Sequence, residues 1–458
     1  VKASSSHFCA VASAALFASA LWTGNGSAEE GVVDLTTLAN YSAQTVPTYI
    51  TRNNTPGNNA ITDAGATLGR VLFYDKRLSR NDTVACASCH KQSLAFGDTD
   101  TASVGVNGTT GRHAMRLINA RFAAEGKFFW DERAATLEAQ TTRPIQDHVE
   151  MGFSGTSGDP AFADLVTKLS AIPEYRVLFA MTFGDAAINE TRVQRALAQF
   201  VRSIQSFDSK YDAGRAVAND NQPFPNFTAS ENAGKQLFLT PPGPGGGAGC
   251  AGCHRPPEFD IDPNSRNNGV TTGFSGTDTT NTRAPSLRDL VGPGGVSHGG
   301  LMHDASLATL DQVISHYNLI TADNVNLDNR LRRPGGGLQN LNLTAQQRSD
   351  LVAFLRTLTG SAVYSDARWS DPFDSAGALQ LIVLPQSAMS IQPNPDGSAT
   401  VSCQASAGLQ YQLKSSPNLV DWTTIATLTA DANGQMQQSV PVTPGQVFYR
   451  FTFTPPSS

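Results

Sequence analysis

Positive charge is scarce in this sequence: 33 Lys and Arg stand against 39 Asp and Glu, a net charge of −6 at pH 7. That balance lacks the basic footprint with which proteins follow a nucleic-acid backbone, so no nucleic-acid partner is expected. No run of about 18 consecutive apolar residues occurs, which excludes a membrane-spanning helix in the mature protein. Only 16% of residues are charged, yet 40% are hydrophobic, with 40 Gly and 25 Pro. This is the make-up of a folded, loop-rich protein, neither disordered nor collagen-like. At 458 residues the chain exceeds one ordinary core, and two or three domains are expected. Cysteine is scarce as well: there are six, and four of them are grouped.

The first residues have the pattern of a secretory signal. Lys2 precedes an apolar stretch at 8–22, a small-residue segment at 24–28 and the pair Glu29–Glu30. A signal peptide over 1–28, cut after Ala28, makes the mature protein periplasmic or secreted. Cys9 has no lipobox-like lead and leaves with this segment.

The grouped cysteines form two runs, Cys86-Ala87-Ser88-Cys89-His90 and Cys250-Ala251-Gly252-Cys253-His254. C-x-x-C-H is the attachment signature of c-type haem. Two thiols add to the two vinyl groups, and the adjoining imidazole reaches the iron, where axial ligation tunes the potential. A zinc site would place its second pair about 15–20 residues on, and a redox C-x-x-C would sit near a βαβ pattern. Neither applies. Two covalent haems are expected, with His90 and His254 as iron ligands and Cys403 left alone.

The motifs lie in an internal repeat. Gly69-Arg70-Val71-Leu72-Phe73 ends 13 residues before the first pair, and Gly234-Lys235-Gln236-Leu237-Phe238 ends 12 before the second. Downstream, Trp130-Asp131 precedes Ala135-Thr136-Leu137 as His303-Asp304 precedes Ala308-Thr309-Leu310. Helical periodicity closes each half, over 192–207 and 344–358. The Pro/Gly stretch at 241–249 reads as a loop. From about 380 the texture changes to short alternating runs with turn signals such as Asn433-Gly434. The expected fold is therefore mainly α: two cytochrome-c-like helical haem domains related by duplication (29–215 and 216–360), a linker (361–379), and a C-terminal β-sandwich module (380–458).

The repeat also separates the haems. Seven residues beyond Leu310 stands Tyr317; seven beyond Leu137 stands Pro144. Proline cannot ligate iron, so the first haem is expected open to a small molecule such as hydrogen peroxide. The second would be six-coordinate through Tyr317, with Met302 and His316 as rival ligands. Near the open haem, Gln140 and Glu150 supply an amide and a carboxylate, the groups that splitting a peroxide O–O bond requires. Trp130 matches His303 and would lie between the haems as a relay.

The run from Phe128-Phe129-Trp130-Asp131-Glu132-Arg133 through Gln140, Pro144 and Glu150-Met151-Gly152 resembles the bacterial dihaem cytochrome c peroxidase and MauG family. So do Leu301-Met302-His303-Asp304 and the two haem motifs. The resemblance covers roughly 65–360. It implies a peroxidatic haem on His90, an electron-transfer haem on His254, an inter-haem Trp130, distal Gln140 and Glu150, and often a calcium ion between the domains. Departures accompany it. Met is usual where Tyr317 stands, the loop at 102–112 carries no distal His, and His113 replaces the calcium-ligating Asn. Tyr317 and Pro144 look instead like the MauG branch, which oxidises tryptophans of a partner protein. Three functions follow: a peroxidase fed by a small redox protein (cytochrome c or cupredoxin), a MauG-like oxidant of a protein substrate, and a plain electron carrier.

Overall fold

The computed structural model describes residues 30–243, 246–384, 389–442 and 445–456; the expected signal peptide and Cys9 lie outside them. Ten α-helices occur among these residues: α1 (Asp63–Tyr74), α2 (Cys86–Cys89), α3 (Leu137–Thr141), α4 (Phe162–Ser170), α5 (Pro173–Phe183), α6 (Glu190–Ser203), α7 (Lys210–Arg215), α8 (Ala229–Leu239), α9 (Leu310–Asn318) and α10 (Ala345–Arg356). Long irregular stretches connect them. The expectation of a mainly α protein is corrected to a mixed fold, because irregular stretches and two-residue strand pairs separate the helices and the described residues of 389–453 form strands and turns alone.

Each half is built on one crossed helix pair. α1 starts at Thr62, whose hydroxyl accepts the Gly65 N–H, and α6 at Asn189, which caps Arg192. Such caps are worth about 1 kcal/mol each. α6 buries Val193, Ala196, Leu197, Phe200 and Val201, an i, i+3, i+4 stripe, against α1. The helices approach so closely at Gly69 that a β-carbon there would stand 2.0 Å from the Ala196 carbonyl oxygen. In the second half, α8 and α10 start with capping boxes, Thr228/Glu231 and Thr344/Gln347. They meet at Gly234, where a β-carbon would stand 1.9 Å from the Asp350 carbonyl oxygen.

The cores correspond in the same way. Phe73, Phe96 and Phe200 cluster in the first, with ring centroids 5.1–6.4 Å apart. Phe238, Phe259 and Phe354 do so in the second, at 5.2–6.1 Å. Backbone φ is left-handed at matching places: Phe96 and Phe259 (60° and 58°), Asn119 and Asp289 (56° and 53°), Phe129 and Met302 (72° and 74°).

Three expected boundaries change. The helix expected over 192–207 ends at Ser203, because the side-chain oxygen of Asn119 accepts the Ser206 N–H and its backbone N–H is donated to Ile204. α7, assigned with the first half by a boundary at 215, packs into the second. Tyr211 joins that core, and Asp212 pairs with fully buried Arg288 at 2.8 Å. The stretch 361–379 is no free linker: Val363, Trp369 and Phe373 are buried in the first core, and Trp369 donates its Nε1–H to Ser203.

β1 (Val32–Asp34) pairs in parallel with Gln380–Ile382, so residues after 379 begin against the start of the described chain. β2 (Val104–Gly105) and β3 (Gly108–Thr109), β4 (His254–Arg255) and β5 (Asp260–Ile261), and β6 (Thr272–Gly273) and β7 (Gly276–Thr277) form small hairpin pairs; β8 is Gln380–Ile382. Beyond it lie β9 (Met389–Pro393), β10 (Ser398–Gln404), β11 (Gln410–Ser416), β12 (Thr423–Thr429), β13 (Gln435–Pro441) and β14 (Phe448–Phe453). They make two three-stranded antiparallel sheets, β13-β10-β9 and β12-β11-β14. Alternate residues of β10 and β11 turn inward, placing Val401 and Leu413 with Val440. Cys403, Tyr411 and Met436 join the first helical core instead.

Candidate functional site

α2 carries the first C-x-x-C pair into the first core, and His90 follows at its end. The carbonyl of Phe96 can only accept, so the 3.1 Å contact with His90 Nδ1 fixes the proton there. Nε2 keeps its lone pair. This is the usual arrangement of a metal-ligating histidine, held by the hydrogen bond of its other nitrogen. Burial also lowers the His90 pKa, favouring the neutral ligand form.

All four motif cysteines are free. Burial pushes Cys86 and Cys250 up to about 12 and Cys89 and Cys253 up to about 11. A redox-active C-x-x-C lowers a thiol instead. Cys86, Cys89 and His90 border a cavity with Phe73, Val84, Leu117, Leu197 and Val201. It continues into a space of about 650 Å³ between the halves, within the range of cofactor sites.

Gln140, Pro144 and Glu150 line the same cavity as the motif. α3 stops at Thr141, so Pro144 stands beyond the helix, whereas Tyr317 lies inside the longer α9. Burial, with Asp147 nearby, raises the Glu150 carboxyl to about 7; Arg133 opposes the shift. The β2–β3 turn clamps the segment beneath Glu150: Val106 N–H donates to the Glu150 carbonyl and Asn107 N–H to that of Val149. Asn107 Nδ2 donates to the His148 carbonyl and its Oδ1 accepts from Arg80, which also binds buried Asp159. Asp159 in turn pairs with His148. Sequence reasoning missed this clamp; the Asn107-Gly108 dipeptide was its one local signal.

At the second motif, His254 is buried with its pKa pushed down to about 4, and its Nδ1 has no partner among the described residues. The Tyr317 hydroxyl lies beside Cys253, Cys250 and Asn268, and burial raises its pKa. The rivals are engaged elsewhere. His316 Nε2 donates to the Asn268 carbonyl, and Met302 Sδ accepts from Asn268 Nδ2.

Trp130 joins the halves. Its Nε1–H donates to the His113 carbonyl at 2.8 Å, its ring packs edge-on to His303, and its carbonyl accepts from Thr282 and Arg283. His113 donates Nδ1–H to the Asp100 carbonyl. Among the described residues, no group of three His, Cys, Asp or Glu side chains is arranged to hold a metal ion.

Buried neutral histidines, protonated thiols beside them and a cavity of cofactor size fit haem attachment at the first motif. The second presents the same donors. Fold and site together define a two-haem c-type oxidoreductase.

Comparison with known proteins narrows the class. Residues 63–221 match the family described as di-haem cytochrome c peroxidase. The methylamine utilization protein MauG of Methylophilus methylotrophus is 32% identical over 320 residues, 67% of this chain and 86% of the relative. The cytochrome c551 peroxidase of Nitrosomonas europaea is 27% identical, over 64% and 80%. A solved MauG-like protein associated with microbial copper homeostasis superposes with a TM-score of 0.56 at 30% identity, over 71% of this chain and 98% of that one. The chain belongs to the di-haem cytochrome c peroxidase and MauG family, and is a peroxidase-type oxidoreductase with two c-type haems.

Proposed function

We propose that this is an exported enzyme that reacts with hydrogen peroxide at the first haem, held by Cys86, Cys89 and His90, and draws electrons through a second, held by Cys250, Cys253, His254 and Tyr317. One observation carries the reading: a single cavity brings the first motif together with Pro144, Gln140 and a Glu150 whose carboxyl is poised near neutrality. When bound, the haem supplies the iron and the redox equivalents. Glu150 takes the proton from the inner peroxide oxygen and delivers it to the outer one, which leaves as water, while the Gln140 amide donates to that outer oxygen as the bond breaks. Trp130, between the halves, offers an aromatic bridge for electrons.

The paired glycines, phenylalanine clusters and left-handed residues support descent of the two halves from one duplicated haem domain. The two C-terminal sheets around Val401 and Leu413 support a β-sandwich, which we assign a stabilising role. Calcium has no part in this reading, since His113 offers no side-chain oxygen where the family has Asn.

A second reading has its own observation. Tyr317 beside the second pair of thiols, with Pro144 at the first site, favours the MauG-like branch, in which peroxide serves to oxidise residues of a partner protein. Turnover of peroxide by the two-haem protein, with reduced small cytochrome c as donor and with or without pre-reduction, separates these readings. Fast turnover without pre-reduction supports the peroxidase. Slow turnover with a long-lived oxidised state after stoichiometric peroxide supports the protein oxidant. No reaction with peroxide overturns both and leaves a plain electron carrier.

A further inference from the structure

The space between the halves is lined by four arginines, Arg112, Arg116, Arg133 and Arg283. Three are accounted for. Arg112 bridges Asp131 and Asp278 at 2.7 and 2.8 Å, and Arg133 pairs with Asp131 at 2.8 Å. Arg283 donates to the carbonyls of Glu125 and Lys127 and lies over the Phe128 ring.

Arg116 differs. Its one hydrogen bond among the described residues runs from Nη2 to the Ser286 carbonyl at 3.1 Å, and its Nε is buried without a partner. Its stem packs against Gly97, next to the Phe96 carbonyl that orients His90. The charged and titratable groups that face it are Asp289, Tyr364, His298 and His113, the last lowered by burial and by Arg116. Asp289 steadies Arg116 through its field but forms no ion pair with it among the described residues: its Oδ1 accepts from Gly360 N–H and the Tyr364 hydroxyl, and its Oδ2 is buried without a partner. His298 is neutral, lowered to about 4 by burial and by Arg116 itself. A half-buried guanidinium with its Nε shut off from water and no paired anion is costly, and desolvation lowers the Arg116 pKa to about 10.

We propose that Arg116 is the cationic anchor of a propionate of the haem at Cys86 and Cys89. The assignment rests on the haem placement given above. A guanidinium presents a planar fork matched to a carboxylate. Its positive charge favours the reduced state of that haem over the oxidised one. The second half has Ser286 at the matching place of the repeat, and the cation beside its own motif, Arg330, is paired with Asp328. The two haems are thereby set apart in potential by a residue outside both attachment motifs.

The test is a spectroelectrochemical titration of the two-haem protein without peroxide, for wild type, Arg116→Gln and Arg116→Lys, with resonance Raman of the propionate bending band. Arg116→Gln is expected to move the midpoint of the high-spin, open haem to lower potential and shift its propionate band, with a smaller effect on the other haem. Arg116→Lys keeps the charge on one donor: the midpoint stays near wild type and the band still moves. An unmoved midpoint and band in Arg116→Gln overturn the proposal, as does a change in stability alone, which would mean that Arg116 serves Asp289. If the Gln variant fails to take up haem, an unmoved band in Arg116→Lys overturns it by itself. Both readouts need only attached haem, so a two-haem protein unreactive toward peroxide sinks the proposed activity and leaves this test standing.

Discussion

Gly105 lies against the backbone of Glu150: a β-carbon there would stand 2.8 Å from Glu150 Cα and 2.1 Å from the carbonyl oxygen of Val149. The β2–β3 turn thus holds the acid–base carboxylate at the cavity wall, and only a residue without a side chain permits so close an approach.

In the proposed mechanism Glu150 sets the pH dependence of the peroxide reaction. Its carboxyl titrates near 7, raised by burial. As the group that accepts the proton it acts when deprotonated, so the bimolecular rate of the wild type rises with pH and levels off above about 7. Glu150→Gln slows that step by about 10²–10⁴-fold and flattens the profile. Gly105→Ala pushes the segment outward, and the inflection moves toward the ordinary range of a solvated carboxyl, near 4–5. Stopped-flow rates between pH 5 and 9 measure both.

As the proposed sixth ligand, Tyr317 is expected to act on the second haem alone. Tyr317→Phe removes the phenol beside Cys250 and Cys253 and is expected to change the optical and EPR spectra from six- to five-coordinate at one haem, leaving the open haem as it was. A spectrum identical to wild type would make Tyr317 a packed aromatic whose hydroxyl is satisfied by Asn268.

The helix crossings tolerate no added carbon. Gly69→Ala and Gly234→Ala each force apart a pair whose backbones touch at 2.0 and 1.9 Å from the would-be β-carbon. Each is expected to cost about 1–3 kcal/mol or more by overpacking. Denaturant titration of the haem-bearing protein reads the loss, and an unchanged midpoint would mean that the helices slide apart freely.

The buried pair of Asp212 with Arg288 is the strongest electrostatic link of α7 to the second half. Both Asp212 oxygens accept from the guanidinium, at 2.8 and 2.9 Å, and Tyr49 adds a third bond. Asp212→Ala strands a fully buried cation and is expected to cost about 3–5 kcal/mol. Arg288→Met with Asp212→Leu should recover much of that, since the charges leave together.

Much of this protein was legible in the one-dimensional order of its residues. Haem attachment needs two thiols and an imidazole at fixed covalent spacing, so Cys86, Cys89 and His90, and their counterparts at 250–254, can be read locally. The apparent repeat likewise drew attention to Phe73 and Phe238, to the closing helix of each half, and to the contrast of Pro144 with Tyr317.

What spacing does not encode is which distant groups meet. The sequence reading treated 361–379 as a linker, yet Trp369 fills the first core, since burial depends on a partner, Ser203, 166 residues away. The carbonyl of Phe96 that orients His90 belongs to the backbone, which every residue type carries, so no side-chain pattern announces it. Glu150 alone resembles any surface carboxylate; the cavity, Asp147 and the β2–β3 clamp raise it toward neutrality. The solitary Arg116 is distinct only once the partners of Arg112, Arg133 and Arg283 are known. Covalent and helical-period features were set by the sequence itself. Burial, pairing and the resulting electrostatics were decided by the tertiary structure, because solvent exclusion is a property of the assembled surface.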